Sequence, residues 1–268
     1  MKEKPIGIFD SGVGGLTVVK EITAILPNEN ILYLGDTARV PYGIRSPETV
    51  IKYSLECADF LFKKGIKILV VACNTSSSIS LEILKKRFPI PVIGVIIPGI
   101  RAALKVTKNK KIGVIGTEAT IQSNAYSEVI NILDPNIEII SKACPLFVPI
   151  VEEGILEGAI ADLIIERYLL DLKHSGIDTL ILGCTHYPLL KNSIQRFMNG
   201  INLVDSATEV AKEVKNILSK ENLINTVNTK GDRKFFVTDA PLRFKRIGEL
   251  FLNTEIKEIF QISLKEAE

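Results

Sequence analysis

Two stretches decide the fold: KILVVACNTSS, residues 67–77, and TLILGCTHYP, residues 179–188. Each is a short, unbroken apolar run that ends at a cysteine, Cys73 or Cys184, and passes into small hydroxyl and amide residues. Apolarity without alternation marks a strand buried on both faces, as in a parallel sheet. Outward from these two, the same pairing recurs. KPIGIFDSG (4–12) parallels KKIGVIGTE (110–118), and ENILYLGD (29–36) parallels NIEIISKA (136–143). Lys4 answers to Lys110, Asn30 to Asn136 and Cys73 to Cys184, so order and spacing hold with one small insertion. Three matches in one order indicate a duplicated unit.

Further buried-strand runs lie at Pro5–Phe9, Asn30–Leu34, Ile66–Ala72, Pro91–Val95, Lys111–Ile115, Ile137–Ile140, Thr179–Leu182, Ile201–Val204 and Lys234–Val237. Between them, Gly15–Leu26, Pro47–Lys63, Ile79–Phe88, Glu118–Leu133, Leu156–Lys173 and Ala207–Ser219 carry apolar residues at helical spacing, and a last helix is expected over Pro241–Leu252. Alternating strands and helices predict an α/β fold of two pseudo-symmetric domains, with mainly parallel sheets flanked by helices and the active site at the interface between them. The expected division is residues 1–98 plus 207–268, and residues 99–206, with boundaries near Pro98 and Ser206.

The totals fit that reading. The chain has 268 residues, enough for a sizeable core, and 33 Lys and Arg against 31 Asp and Glu leave a net charge of +2. Such a balance gives no support to a nucleic-acid or membrane partner. The basic run Lys108–Lys111 reads as a solvated loop. The N-terminus has no apolar signal core, and no apolar run reaches the roughly 18 residues of a membrane span. A cytoplasmic protein with four reduced thiols is expected. Cys57, Cys73, Cys144 and Cys184 form no C-x-x-C pair, and two histidines are too few for a typical His-based metal site.

Cys73 and Cys184 both fall at the carboxyl end of a strand, the edge at which open α/β sheets bind ligands. Asn74, Thr75 and Ser76 are good N-caps for the helix expected after Cys73. A helix start favours negative charge on a nearby thiol. The alternative is that each cysteine is a small core hydrophobe. That reading is adopted for Cys57 and Cys144, whereas the duplicated context argues against it for Cys73 and Cys184. Two equivalent thiols across a cleft suit one operation: one removes a proton from a carbon and the other returns a proton to the opposite face, inverting the centre.

IGIFDSGVGGLTV (6–18), YLGDTARVPYG (33–43), ACNTSS (72–77) and LGCTHYPLL (182–190) resemble, in order, the signature segments of the glutamate racemase family. FFVTDAPLRFKRIGELFL (235–252) resembles the family's C-terminal segment. GCTHYP alone would indicate only the wider group of aspartate, glutamate and hydantoin racemases; DSGVGG together with VPYG narrows the resemblance. It implies interconversion of L- and D-glutamate without a cofactor or metal, supply of D-glutamate for peptidoglycan, a cytoplasmic location in bacteria and a homodimer. It further implies that Cys73 is the base toward D-glutamate and Cys184 the base toward L-glutamate.

By the same resemblance Asp10 lies beside Cys73, and Glu152, with Glu153 its neighbour, lies near Cys184. A turn-forming Asp before Ser11-Gly12 and a solvated helix charge are the respective alternatives. His186, two residues after Cys184, is the natural imidazole partner for that thiol; a packed loop histidine is the alternative. His174 reads as the end of a helix before Gly176, with no role in the site. Ser11, Asn74, Thr75 and Thr185 flank the thiols as neutral donors, and Thr117 and Thr120 match family positions for substrate. Each also has a competing use as a cap or loop hydrogen bond. Pro41 and Tyr42 are expected to wall the site, and the Gly43 amide to hold the side-chain carboxylate. None of these candidates is an arginine or lysine.

Other readings are weighed against this one. DSGVGG fits neither G-x-G-x-x-G nor a G-K-[ST] phosphate loop. An aspartate or hydantoin racemase would keep the two-thiol chemistry, and a non-catalytic regulatory protein would keep only the scaffold.

Overall fold

The computed structural model describes residues 1–264. Along the chain run β1 (Ile6–Asp10), α1 (Leu16–Ile25), β2 (Ile31–Gly35), a 3-10 turn at Tyr42–Ile44, α2 (Pro47–Lys63), β3 (Ile68–Val71), α3 (Asn74–Ile79), α4 (Leu81–Arg87) and β4 (Val92–Gly94). After α5 (Ile96–Val106) the pattern repeats as β5 (Lys111–Gly116), α6 (Glu118–Gln122), α7 (Ala125–Leu133), β6 (Glu138–Ala143), α8 (Phe147–Glu152), α9 (Ala159–His174), β7 (Thr179–Gly183), a 3-10 turn at Tyr187–Leu190, α10 (Lys191–Phe197) and β8 (Asn202–Val204). The chain closes with α11 (Ala207–Lys220), β9 (Arg233–Val237), α12 (Pro241–Leu252) and β10 (Ile259–Gln261).

The strands form two sheets with every pairing parallel, in the orders β10-β9-β2-β1-β3-β4 and β6-β5-β7-β8. β2-β1-β3-β4 and β6-β5-β7-β8 are the same arrangement, and the matched sequence segments occupy the matched strands β1 and β5, β2 and β6, β3 and β7. β9 and β10 extend only the first sheet. β1 and β7 are buried along their whole length, as their unbroken apolarity requires. A large buried cluster runs from Ile6, Ile8 and Val70 of the first sheet to Leu180 and Leu182 of the second and Tyr187 in the turn after it. At about 1.5–3 kcal/mol per fully buried aliphatic or Phe side chain, this continuity couples the two sheets strongly.

Several expected boundaries shift for local reasons. The helix expected over Glu118–Leu133 is broken into α6 and α7 by Asn124, which adopts φ +56°, a left-handed conformation asparagine tolerates. The one expected over Ile79–Phe88 starts earlier, at Asn74, and divides at Ser80, whose hydroxyl turns back to the Ser76 carbonyl at 2.7 Å. α9 begins only after Gly158, at φ +90°. α5 was not foreseen; Pro98 sits in its first turn, where the missing N–H costs nothing. α5 carries the chain from one sheet to the other, packing on α11.

Candidate active site

Both cysteines stand where their strands end. Cys73 is itself the N-cap of α3, so Asn74 is the first helical residue rather than a capping one. Cys184 enters the turn ahead of Tyr187–Leu190. Both are buried, at 5% and 7% exposure, and both line one narrow cavity of about 20 Å3. Cys57 and Cys144 are fully buried elsewhere, as core residues.

The surroundings of the two thiols differ. The Cys73 thiol donates toward Ser11 Oγ at 3.7 Å. Burial and the Asp10 carboxylate push it up to about 11, against smaller opposing contributions from the Ser76 N–H and Ser11. Asp10 ends β1, wholly buried. Its carboxylate accepts from the Gly12 N–H at 2.9 Å and from Thr185 Oγ1 at 3.2 Å. Burial raises its pKa, while His186 and these donors pull it back. The glycines of DSGVGG serve close packing here. A Cβ on Gly14 would stand 2.3 Å from Thr185 Oγ1 and 2.5 Å from His186 Nδ1.

Cys184 faces His186, whose Nδ1 lies 4.0 Å from the sulfur while Nε2 meets Glu152 Oε1 at 3.2 Å. Burial opposes the imidazolium, but Cys184 and Glu152 outweigh it and raise His186 to about 10. Burial likewise disfavours the Glu152 carboxylate, yet His186 and Arg243 hold its pKa below the usual value. Local packing brings this row together: Tyr187 donates its hydroxyl to the Cys144 carbonyl at 2.9 Å, and its ring meets Phe147, at the start of α8, at 5.1 Å. Glu152 ends that helix. Glu153 meets Arg243 at 3.1 Å, whereas Glu152 meets His186 at 3.2 Å, so the histidine's partner is Glu152.

Ser11, Pro41, Tyr42, Gly43, Asn74, Thr75, Thr117, Thr185 and His186 line the same cavity. Asp10, Thr120 and Glu152 do not. Asp10 is held behind Ser11 by Gly12 and Thr185, and Glu152 lines an adjoining space of about 230 Å3. The Thr75 hydroxyl is 2.9 Å from that of Thr117 and 3.2 Å from that of Thr120, closing a triangle between the two sheets. Thr117 also caps α6 by accepting from the Thr120 N–H at 3.3 Å, so its capping and cavity-facing uses coexist. Gly43 abuts this triangle, since a Cβ there would lie 2.4 Å from Thr117 Cβ.

Sequence reading did not single out four residues. Val40 and Val148 complete the cavity wall. Tyr126 donates to Asn74 Oδ1 at 2.7 Å, and Arg243 reaches Glu152 at 3.4 Å. The valines carry no chemical signal, and the other two act across the fold. His174 ends α9 at the surface, as expected. Among the described residues no group of three or more His, Cys, Asp or Glu side chains could hold a metal ion, and no helix is long and apolar enough to cross a membrane. A larger cleft of about 670 Å3 beside α1 and β9 contains none of the candidate residues.

A duplicated parallel α/β fold that puts two thiols on one buried cavity, each beside its own proton-sharing neighbours, defines an enzyme scaffold for moving protons between two groups. The chain belongs to the Asp/Glu/Hydantoin racemase family, whose model matches residues 6–214. It is 52% identical over 266 residues to a glutamate racemase of Geobacter metallireducens, covering 99% of this chain and 98% of that one. To a glutamate racemase of Aquifex aeolicus it is 52% identical over 252 residues, covering 94% and 95%. Its fold matches the crystal structure of a Francisella tularensis glutamate racemase in complex with D-glutamate, with a TM-score of 0.94, 42% identity and complete coverage of both chains.

Proposed function

We propose that this chain is a cofactor-independent racemase interconverting L- and D-glutamate, with Cys73 and Cys184 as the two acid–base groups. The observation that carries the reading is that both thiols line one cavity, with Ser11 and Asp10 behind one and His186 and Glu152 behind the other. The α-hydrogen of glutamate is far less acidic than a thiol, so proton removal needs strong stabilisation of the developing charge. The neutral donors of Ser11, Asn74, Thr75 and Thr185 supply it around the α-carboxylate. Thr117, with Thr120 behind it, and the Gly43 amide hold the distal carboxylate, with Pro41 and Tyr42 as the wall.

In this reading Cys73 rests protonated and is the acid when L-glutamate is converted, while the His186 imidazole stands beside the Cys184 sulfur. Removal of the proton by Cys184 and its replacement by Cys73 converts L- to D-glutamate, and the reverse exchange converts D to L. Asp10 acts on Cys73 through the buried field it creates, and Glu152 orients and charges His186. The two lobes are residues 1–98 plus 207–268, of which 265–268 lie outside the described residues, and residues 99–206. The protein works in the cytoplasm as a homodimer, supplying D-glutamate for peptidoglycan.

Substrate profiling by circular dichroism tests the assignment. Both glutamate enantiomers should lose their optical signal, and aspartate and hydantoins should keep theirs. Loss with aspartate but not glutamate would replace the substrate and retain the chemistry.

A further inference from the structure

Behind the Pro41–Gly43 wall lies a buried ionic network that none of the proton-transfer roles uses. Asp36, directly after β2, is completely buried. Its Oδ2 accepts from the Tyr42 hydroxyl and from Arg39 Nε at 2.7 Å, and its Oδ1 from Thr238 Oγ1 at 2.9 Å. Arg39 also pairs with Glu56 of α2, itself buried, and lies 4.0 Å over the Tyr53 ring. That ring is 5.5 Å from the ring of Tyr42. On the other side, Thr238 Oγ1 accepts from the Ala38 N–H at 2.8 Å, and Thr37 Oγ1 accepts from the Asp239 N–H at 2.9 Å. Residues 36–42 are thus clamped between α2 and the end of β9.

Burying two carboxylates with a partly buried guanidinium is costly unless the arrangement serves geometry, and replacing such groups with apolar ones is often neutral or stabilising. A carboxylate only accepts, so the Tyr42 hydroxyl has to donate to Asp36, which fixes where the ring points. The ring packs with Val50 and Cys73, and the next residue, Gly43, meets Thr117 of the second sheet. Arg39, the cation of the DTARVPYG segment, is committed to Asp36 and Glu56, so it is not a ligand for a substrate carboxylate.

We propose that Asp36 is a positioning residue for substrate capture: through the Tyr42 hydroxyl it holds the Pro41–Gly43 wall in register with Thr117, and Arg39, itself anchored by Glu56, keeps it in place. This rests on the reading of that wall as part of the glutamate site. No side chain of the network hydrogen-bonds Asp10, Ser11, His186 or Glu152; its one bond to Asp10 is main-chain, from the Asp36 N–H to the Asp10 carbonyl at 3.1 Å, which Asp36→Asn and Tyr42→Phe both keep. Loss of the side-chain network therefore weakens capture more than proton transfer, equally for both enantiomers.

The test compares Asp36→Asn and Tyr42→Phe with wild type in two assays. Steady-state kinetics should show KM raised about tenfold for L- and D-glutamate alike, the scale of one lost charge-assisted hydrogen bond, with kcat within about threefold. Without substrate, hydrogen exchange at the amides of residues 42–45 should quicken about tenfold, with β1 and β3 unchanged. Normal KM and normal exchange in a folded variant would overturn the proposal, and so would a loss confined to kcat. If Asp36→Asn fails to fold, Tyr42→Phe, which keeps the packed ring, decides alone. If wild type racemises no amino acid, the function reading falls and the exchange measurement still decides whether Asp36 anchors the wall.

Discussion

At the residue scale, the account rests on two thiols with unlike neighbours. Cys73→Ala and Cys184→Ala should each lower racemisation by about 10²–10⁴-fold or more, the usual range for a positioned acid or base. A steady-state rate near wild type in either variant would contradict their roles. The His186–Glu152 pair makes a separate prediction. The folded-state pKa of His186 is raised from 6.5 to about 10. The stability this pairing contributes is therefore complete below about pH 6.5 and fades as pH rises through about 10. Glu152→Gln removes a carboxylate that raises His186, so the contribution should be smaller and its fade should end at lower pH, as urea unfolding across pH 6–10 would show. Identical pH dependence in both proteins would mean the pair is not coupled. Cys184 and His186 could be read from sequence because they lie two residues apart at the end of a strand. Arg243 could not: its partner Glu152 is 91 positions away, and no local pattern joins a helix surface arginine to it. Asp36 was hidden for a similar reason, since Thr238, and Glu56 by way of Arg39, join it only in the folded chain.

At the element scale, the loop between β1 and α1 is a packing device. Its glycines suggested a phosphate cradle only to be set aside on spacing, and the structure supplies the positive reason for Gly14. Gly14→Ala would drive a methyl into Thr185 and His186. It should cost about 1–3 kcal/mol of stability, typical of overpacking, and lower turnover as well. Wild-type urea stability and turnover would show that the loop has room to move. The strands were legible because parallel burial writes itself as continuous apolarity. Helix ends were less so. Asn124 and Ser80 break helices through a left-handed backbone and a hydroxyl turned to the main chain, and neither interrupts an apolar pattern. α5 is hidden because Pro98 reads as the domain boundary, although a proline in a first turn is compatible with a helix.

At the scale of the whole molecule, duplication explains why one cavity has two thiols. The same strand order occurs twice, and each copy delivers its cysteine from the strand beside its central one. The sequence disclosed the duplication through three ordered matches, while the way the sheets face each other emerges only from packing, through the shared core and the Thr75–Thr117–Thr120 triangle. Glutamate bound between the sheets should stabilise the whole chain. In Cys73→Ala, where the added enantiomer persists, a concentration of 100 Kd should add about 2.7 kcal/mol. That corresponds to several degrees in Tm, at roughly 2–4 °C per kcal/mol for a chain near this size. Aspartate should do much less, and an equal response to both would contradict a glutamate-shaped site.

The most direct measurement of the central claim follows each glutamate enantiomer in D2O with the purified protein, recording circular dichroism and the α-proton signal together. Two thiols on opposite faces predict that both enantiomers lose optical signal and that deuterium appears at first in the inverted product, with little in recovered substrate. Deuterium entering recovered substrate as fast as product from both enantiomers would point to a single shared base, and no inversion or exchange would contradict the two-thiol account altogether.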